Sequence, residues 1–304
     1  MPGSARCQKR LKMETQMQSI VDFSQIISER YNHLTKSEKR IANYLRKNQE
    51  ESAFLAAGEI ADRLGLSEAT LVRFARTLGF NSYPSMRTVL QENFRRRVTH
   101  STRLRSRLDD LRDSGDIFEK VTISEIDYLT QALQTVSREA LHKTVSYMIE
   151  RDRIFVFGPG PSVSLVHLLN IRLTRFGKLI IPLTMTGREM LESLILMTNR
   201  DLLFAIGFFD VNPSLQVVLD YAVEKKCPVV LLTDTLGSVI GDKADVILTA
   251  KRGPVSAFHS LVVPMTIINT LLLDFANQNL EEVTSRLDQL DQLRENLKKT
   301  DGSS

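Results

Sequence analysis

The sequence predicts an α/β protein in two parts: an all-α N-terminal domain built on a helix, a short turn and a second helix, then a doubly wound domain on a five-stranded parallel sheet. Three observations carry this. Apolar residues fall at helical spacing from Ile20 to about Arg97, with no strand-like run among them. After Arg151, short β-rich apolar runs alternate with helical stretches, the pattern of parallel strands covered by helices on both faces. The charge divides along the same line: residues 1–112 carry 21 Lys and Arg against 12 Asp and Glu, a difference of +9, and residues 113–304 carry 19 against 24, a difference of −5. A basic front and an acidic back imply different partners, nucleic acid being the natural one for the first.

A chain of 304 residues, 42% hydrophobic and 25% charged, is long enough to build two cores. Cys7 and Cys227 are too few and too far apart for a disulfide framework, and no Cys/His cluster has metal-ligand spacing. No cofactor or metal is therefore expected, and a reducing cytoplasm is. The longest apolar runs, such as Leu261 to Leu273, are too short to span a bilayer, and the N-terminus has no apolar leader, so no membrane partner is expected. Residues 1–18, with Arg6, Lys9, Arg10 and Lys12, and the end from Lys298 to Ser304 look like loose tails.

Within residues 19–97, Thr35 followed three residues later by Glu38 forms a capping box that starts a helix carrying Ile41, Tyr44 and Leu45. A short helix over Ala57 to Leu64 should stop at Gly65, and Ser67 should cap the next, which runs to Leu78 and ends at Gly79. Residues 98–136 form a linker and connector: a polar, arginine-rich stretch to Asp113, then a helix over Asp116 to Val136. The α/β domain, residues 137–280, opens with a helix over Ser137 to Glu150. Strands are expected at Arg153–Gly158, Lys178–Pro182, Asp201–Gly207, Pro228–Thr233 and Asp245–Ala250. Helices over Ser256 to Gln278 and Leu280 to Leu297 close the chain, residues 281–304 being a C-terminal helix and tail.

The stretch EIADRLGLSEATLVRFARTLGF, residues 59–80, sets Ile60, Ala61 and Leu64 on one helix face and Leu71, Phe74 and Leu78 on the other. The outer side of the second helix is left with Ser67, Glu68, Thr70, Arg73, Arg76 and Thr77. Arginines and hydroxyls on an exposed helix suit a major groove, where Arg bonds guanine bidentately and Ser or Thr reach phosphates. Glu68 is repelled by phosphates, so it either reads a cytosine amino group or points away. Any two short helices joined by Gly-Leu-Ser would pack in this way. The nearby Arg95, Arg96 and Arg97 favour the DNA reading, while Arg103, Arg105 and Arg107 fit a phosphate-contacting face and a solvated linker equally.

LTKSEKRIANYL, residues 59–80 and SYPSMR resemble, in order and spacing, the N-terminal domain of RpiR-type bacterial transcriptional regulators, whose recognition helix commonly reads Ser-x-Ala-Thr-(Val/Leu)-Val-Arg-Phe. The later half resembles the sugar isomerase (SIS) domain of these regulators, so the resemblance covers about residues 20–280. It implies a double-stranded DNA operator as partner, bound by a homodimer or homotetramer, with Ser67, Thr70, Arg73 and Arg76 facing the DNA. The apolar Leu261, Val262, Met265, Ile268 and Leu272 serve either as core or as an interface between copies.

In SIS domains the first strand ends in Gly-x-Gly-x-Ser, and the third in a serine-rich turn that helps hold a sugar phosphate. FVFGPGPS, residues 155–162, supplies Gly158, Gly160 and Ser162, but Pro159 and Pro161 each remove a backbone donor. The second turn reads FFDVNPS, residues 208–214: Phe208, Phe209 and Asp210 stand where serines usually do. The resemblance implies a small-molecule effector, a sugar phosphate or a related compound, at Gly158, Gly160 and Ser162; given the departures, one reading is an altered pocket that adds Asn212, Ser214, Thr233, Asp234, Arg252 and Ser260. The departures leave open a degenerate domain that senses nothing and only oligomerises. A sugar-phosphate isomerase is a third reading, with Glu189, Glu192, His167 and His259 as acid–base candidates by position alone. No nucleophile triad, phosphate-loop lysine or dinucleotide fingerprint supports an enzyme, and no catalytic residue is assigned.

Overall fold

The computed structural model describes residues 23–97, 100–112, 116–208, 212–234, 240–253 and 259–301. The basic N-terminal tail with Cys7, the turn residues Phe209 and Asp210, the segment around Ser256 and the side chains of Arg95, Arg96 and Arg97 lie outside the described residues. The chain divides between Arg103 and Leu104 into two compact units.

The first unit contains α1 (Phe23–Arg30), a 3-10 turn (Tyr31–His33), α2 (Lys36–Lys47), α3 (Gln49–Ser52), α4 (Ala57–Leu64), α5 (Glu68–Thr77) and α6 (Tyr83–Arg97). The capping box forms at the head of α2: Thr35 Oγ1 accepts from the Glu38 N–H at 3.4 Å, and Glu38 Oε2 accepts from the Thr35 N–H at 2.9 Å. At the end of α4, Gly65 takes the left-handed conformation, φ 60°, and its N–H closes onto the Ala61 and Asp62 carbonyls. Ile41, Leu45, Ile60, Leu71, Phe74 and Met86 are fully buried, so one core carries both helices of the motif. Ser67 departs from expectation. It precedes α5 but does not cap it with its side chain, because its hydroxyl bonds Thr70 Oγ1 at 2.8 Å.

The second unit takes in most of α7 (His100–Arg112), then α8 (Ile117–Thr135) and α9 (Arg138–Glu150), whose first turns are capped by Asp116 and Ser137. There follow β1 (Arg153–Phe157), α10 (Val163–Arg175), β2 (Leu179–Leu183), α11 (Arg188–Leu194), β3 (Leu202–Gly207), α12 (Pro213–Glu224), β4 (Val229–Thr233), β5 (Val246–Thr249), α13 (Val262–Gln278) and α14 (Leu280–Asp301). The five strands are parallel in the order β2-β1-β3-β4-β5. One face buries Ile154, Val156, Phe204 and Val230 against α9, α10 and α13; the other buries Phe155, Phe157, Leu203 and Leu231 against α11 and α12. Apolar side chains on both faces explain the nearly unbroken hydrophobic strands. Ile268 and Leu272 belong to the core, whereas Val262 is exposed. The expected loose end also differs, since α14 continues through Lys298 and Lys299, cations that suit the C-terminal end of a helix.

Candidate nucleic-acid interface and effector site

On α5 the outward set is as the helical spacing predicts: Ser67, Glu68, Arg73, Arg76 and Thr77 are exposed and Thr70 is half-buried. They do not act alike. Arg73 Nη2 donates to Thr70 Oγ1 at 3.3 Å, which joins Ser67, Thr70 and Arg73 into one polar cluster at the start of the helix. Glu68 turns back over the first turn of α4, its Oε2 lying 3.7 Å from where a Cβ on Gly58 would sit. Thr77 faces α2: its hydroxyl donates to Glu38 Oε1 at 2.7 Å. Burial pushes the Glu38 carboxyl up, but hydrogen bonds from Thr77 and Thr35 and the Arg73 charge outweigh it and hold it below the usual value.

Two arginines that the sequence does not single out fix the ends of the motif. Arg30 Nη1 donates to the Thr77 carbonyl at 2.7 Å and Arg40 Nη2 to the Leu64 carbonyl at 2.8 Å. Each places a cation at a helix C-terminus, where carbonyls lack partners. No local pattern marks them, because the bonds join residues 47 and 24 positions apart.

In the second unit the predicted effector residues gather along the carboxyl edge of the sheet. β1 and β3 are neighbours whose connections leave in opposite directions, so the crevice of an open α/β sheet falls between their ends. Ser162 is buried there, in a 3-10 turn, Gly160–Ser162, that leads into α10. Gly160 has φ +60°, and a Cβ on Gly158 would fall 2.8 Å from Val166 Cγ2, so both glycines are required by shape. Thr233 ends β4 fully buried, and its Oγ1 has no hydrogen-bond partner.

Arg252 follows β5 and reaches back across the edge. Its Nη2 pairs with Asp234 Oδ2 at 2.9 Å, and its Cζ lies 3.8 Å from the centroid of the Phe208 ring, after β3. Only 8% of Arg252 is exposed, and its Nε has no partner. Burial pushes the guanidinium pKa down, against the pull of Asp234. Phe208, which stands where a serine usually does, is therefore a stacking surface for Arg252.

The remaining members support the edge. Asn212 Oδ1 accepts from the Leu215 N–H at 2.8 Å and caps α12, and Ser214 Oγ accepts from the Gly187 N–H at 3.4 Å. Ser260 Oγ donates to Glu125 Oε2 of α8 at 2.8 Å, a link the sequence did not reveal. Glu189 and Glu192 are exposed on α11, and His167 is exposed on α10. Among the described residues no group of His, Cys, Asp and Glu is arranged to hold a metal ion, and no helix is long and apolar enough to cross a membrane.

Residues 21–97 match the helix-turn-helix domain of the rpiR family, and residues 147–274 match the SIS domain. The chain belongs to the RpiR family. Its relatives include an HTH-type transcriptional regulator of Thermotoga maritima, 25% identical over 258 residues, 83% of this chain and 90% of that protein. The HTH-type transcriptional regulator RpiR of Escherichia coli K12 is 20% identical over 253 residues, 82% and 84% of the two chains. Among solved structures, the sugar isomerase domain of an RpiR transcription factor from Sphaerobacter thermophilus is 25% identical with a TM-score of 0.55, over 59% of this chain and 99% of that one. Vibrio vulnificus NanR, complexed with ManNAc-6P, shares the fold: 23% identity and a TM-score of 0.59 over 91% of this chain and 99% of its own.

This RpiR-family chain is thus a helix-turn-helix transcriptional regulator with a SIS domain, and the isomerase reading gives way. At the edge of its sheet the cation is already paired with a carboxylate and stacked on a phenylalanine.

Proposed function

We propose that the protein works in the cytoplasm as a homodimer or homotetramer that binds an operator through α5 and senses a small anionic metabolite, a sugar phosphate or a related compound, at the carboxyl edge of β1, β3 and β4. Ser67, Thr70, Arg73 and Arg76 face the DNA, while Glu68 and Thr77 orient the helix. Ser162, Thr233 and Arg252 meet the effector, Gly158 and Gly160 shape the turn, and Asn212, Ser214, Asp234 and Ser260 hold the wall.

One observation carries the sensing. Thr233 Oγ1 and Arg252 Nε are both buried and unpartnered on the same edge of the sheet. An unmet buried donor costs about 1–3 kcal/mol, and a polar ligand would relieve it. The oligomer is supported by Ile123, Ile126 and Leu133 of α8, all more than half exposed, and by the need of a helix-turn-helix reader to span half-sites about 34 Å apart.

A second reading is favoured by the Asp234–Arg252 pair, which already neutralises the cation: the domain oligomerises and senses nothing. Thermal unfolding of the full chain with ManNAc-6P, other sugar phosphates and inorganic phosphate separates the two. Sensing predicts a rise in Tm with one of the sugar phosphates that is lost in Thr233→Val. No rise with any of them favours the second reading.

A further inference from the structure

We infer that α8 carries the state of the effector edge toward the DNA-binding unit, with Glu125 and Tyr128 as the positioning residues that hold the Arg252 segment. The inference rests on the sensing proposed above, and deepens it by naming the element that responds.

The segment has two sides. Toward the strand ends it sends the Arg252 side chain to Asp234 and Phe208. Toward α8 it offers its backbone and one hydroxyl. Gly253 has φ +95°, and a Cβ there would fall 2.6 Å from Tyr128 Oη, so the main chain lies directly against the tyrosine. The Ser260 N–H donates to the Arg252 carbonyl at 3.4 Å, which ties the two described ends of the segment together. Ser260 Oγ then bonds Glu125 Oε2 at 2.8 Å and accepts from the Val262 N–H, at the start of α13, at 3.0 Å. A ligand that draws Arg252 away from Asp234 moves the adjoining Gly253, and that glycine has no room to move toward α8 without displacing Tyr128.

At its other end α8 is joined to the preceding helix. Lys120 Nζ donates to the Leu111 carbonyl in the last turn of α7, and α7 begins at His100, before the division between the units. No residue of α8 is fully buried. The helix rests on the core through Tyr128, Leu129 and Ala132, which are only partly buried. Its contacts to the effector segment are polar and specific, so they can differ between two arrangements, as coupling requires.

Linkage is reciprocal, so DNA must act on the effector segment as the effector acts on DNA affinity. The test is hydrogen–deuterium exchange on the full chain, free and bound to a DNA fragment selected from genomic DNA. Peptides covering Lys251–Gly253 and Ser260–Val262, together with α8, should change exchange rate by about fivefold or more on DNA binding. Glu125→Gln, which keeps an acceptor for Ser260, should retain the response, and Glu125→Ala should lose it at the effector segment while still binding DNA. If Glu125→Ala fails to fold, Ser260→Ala removes the same bond from the other side. An unchanged segment in the native chain, or an equal response in the alanine variants, would overturn the inference. ManNAc-6P and inorganic phosphate serve as probes in parallel. A probe that raises Tm without any DNA-linked response sinks the α8 inference alone; a DNA-linked response with no probe binding keeps it and removes the sensing.

Discussion

Thr77, at the end of the recognition helix α5, donates its hydroxyl hydrogen at 2.7 Å to Glu38, which also closes the capping box at the head of α2, 39 residues earlier. One carboxylate thus fixes both the start of one helix and the pose of another. Thr77→Val should lower stability by about 1 kcal/mol, and Glu38→Ala by about 1–3 kcal/mol because the cap goes too. A double-mutant cycle in urea should give a coupling of about 1 kcal/mol. Simple additivity would mean that this exposed bond does not hold α5.

The same carboxylate sets an acid limit. Its folded pKa is depressed, so its contribution is complete above the ordinary glutamate value of 4.5 and is lost as pH falls through the lower folded value. Denaturation followed from pH 6 to about pH 3 should fall more steeply in the native chain than in Glu38→Gln. Parallel curves would show that the ionised form gains nothing from Thr35, Thr77 and Arg73.

How far the sequence carried this structure depends on the range of the interaction. The capping box, the stop at Gly65 and the five apolar strand runs are local, and each stands where the pattern placed it. Six outward positions on α5 were equally legible, but their division of labour was not. Glu68 turns to Gly58 and Thr77 to Glu38 through tertiary contacts that no spacing rule encodes. At the sheet edge, Phe208 read as apolar surface in place of a serine, and that surface is the face on which Arg252 stacks. Glu125 and Tyr128 gave no signal at all, since helical spacing assigns them to a connector and says nothing of what the connector touches.

Arg252 and Asp234 form a buried pair, with side chains 8% and 10% exposed. Arg252→Ala takes the guanidinium away from a buried carboxylate and should cost about 3–5 kcal/mol. Replacing both together, with Met and Leu, should cost much less. A thermal or urea measurement in which the single and double variants are equally stable would contradict a tightly coupled pair.

Cys227 lies buried, its Sγ donating to the Asp201 carbonyl at 3.3 Å, and burial pushes the thiol up to about 12. In a Cys7→Ser background, an alkylating reagent at pH 8 should leave Cys227 unmodified in native protein and label it fully in urea. Rapid labelling of the folded protein would show that the edge between β3 and β4 opens readily.

The central claim is that α5 reads DNA, and a selection of genomic fragments tests it most directly. Full-length protein at about 150 mM salt, where long-range attraction is screened beyond roughly 8 Å, should recover a palindromic site. Arg73→Ala should relax selection at one position of each half-site, at a cost of roughly 1–3 kcal/mol. Recovery of the same site at the same affinity by an Arg73→Ala, Arg76→Ala double variant, or no enrichment by the native chain, would contradict the account.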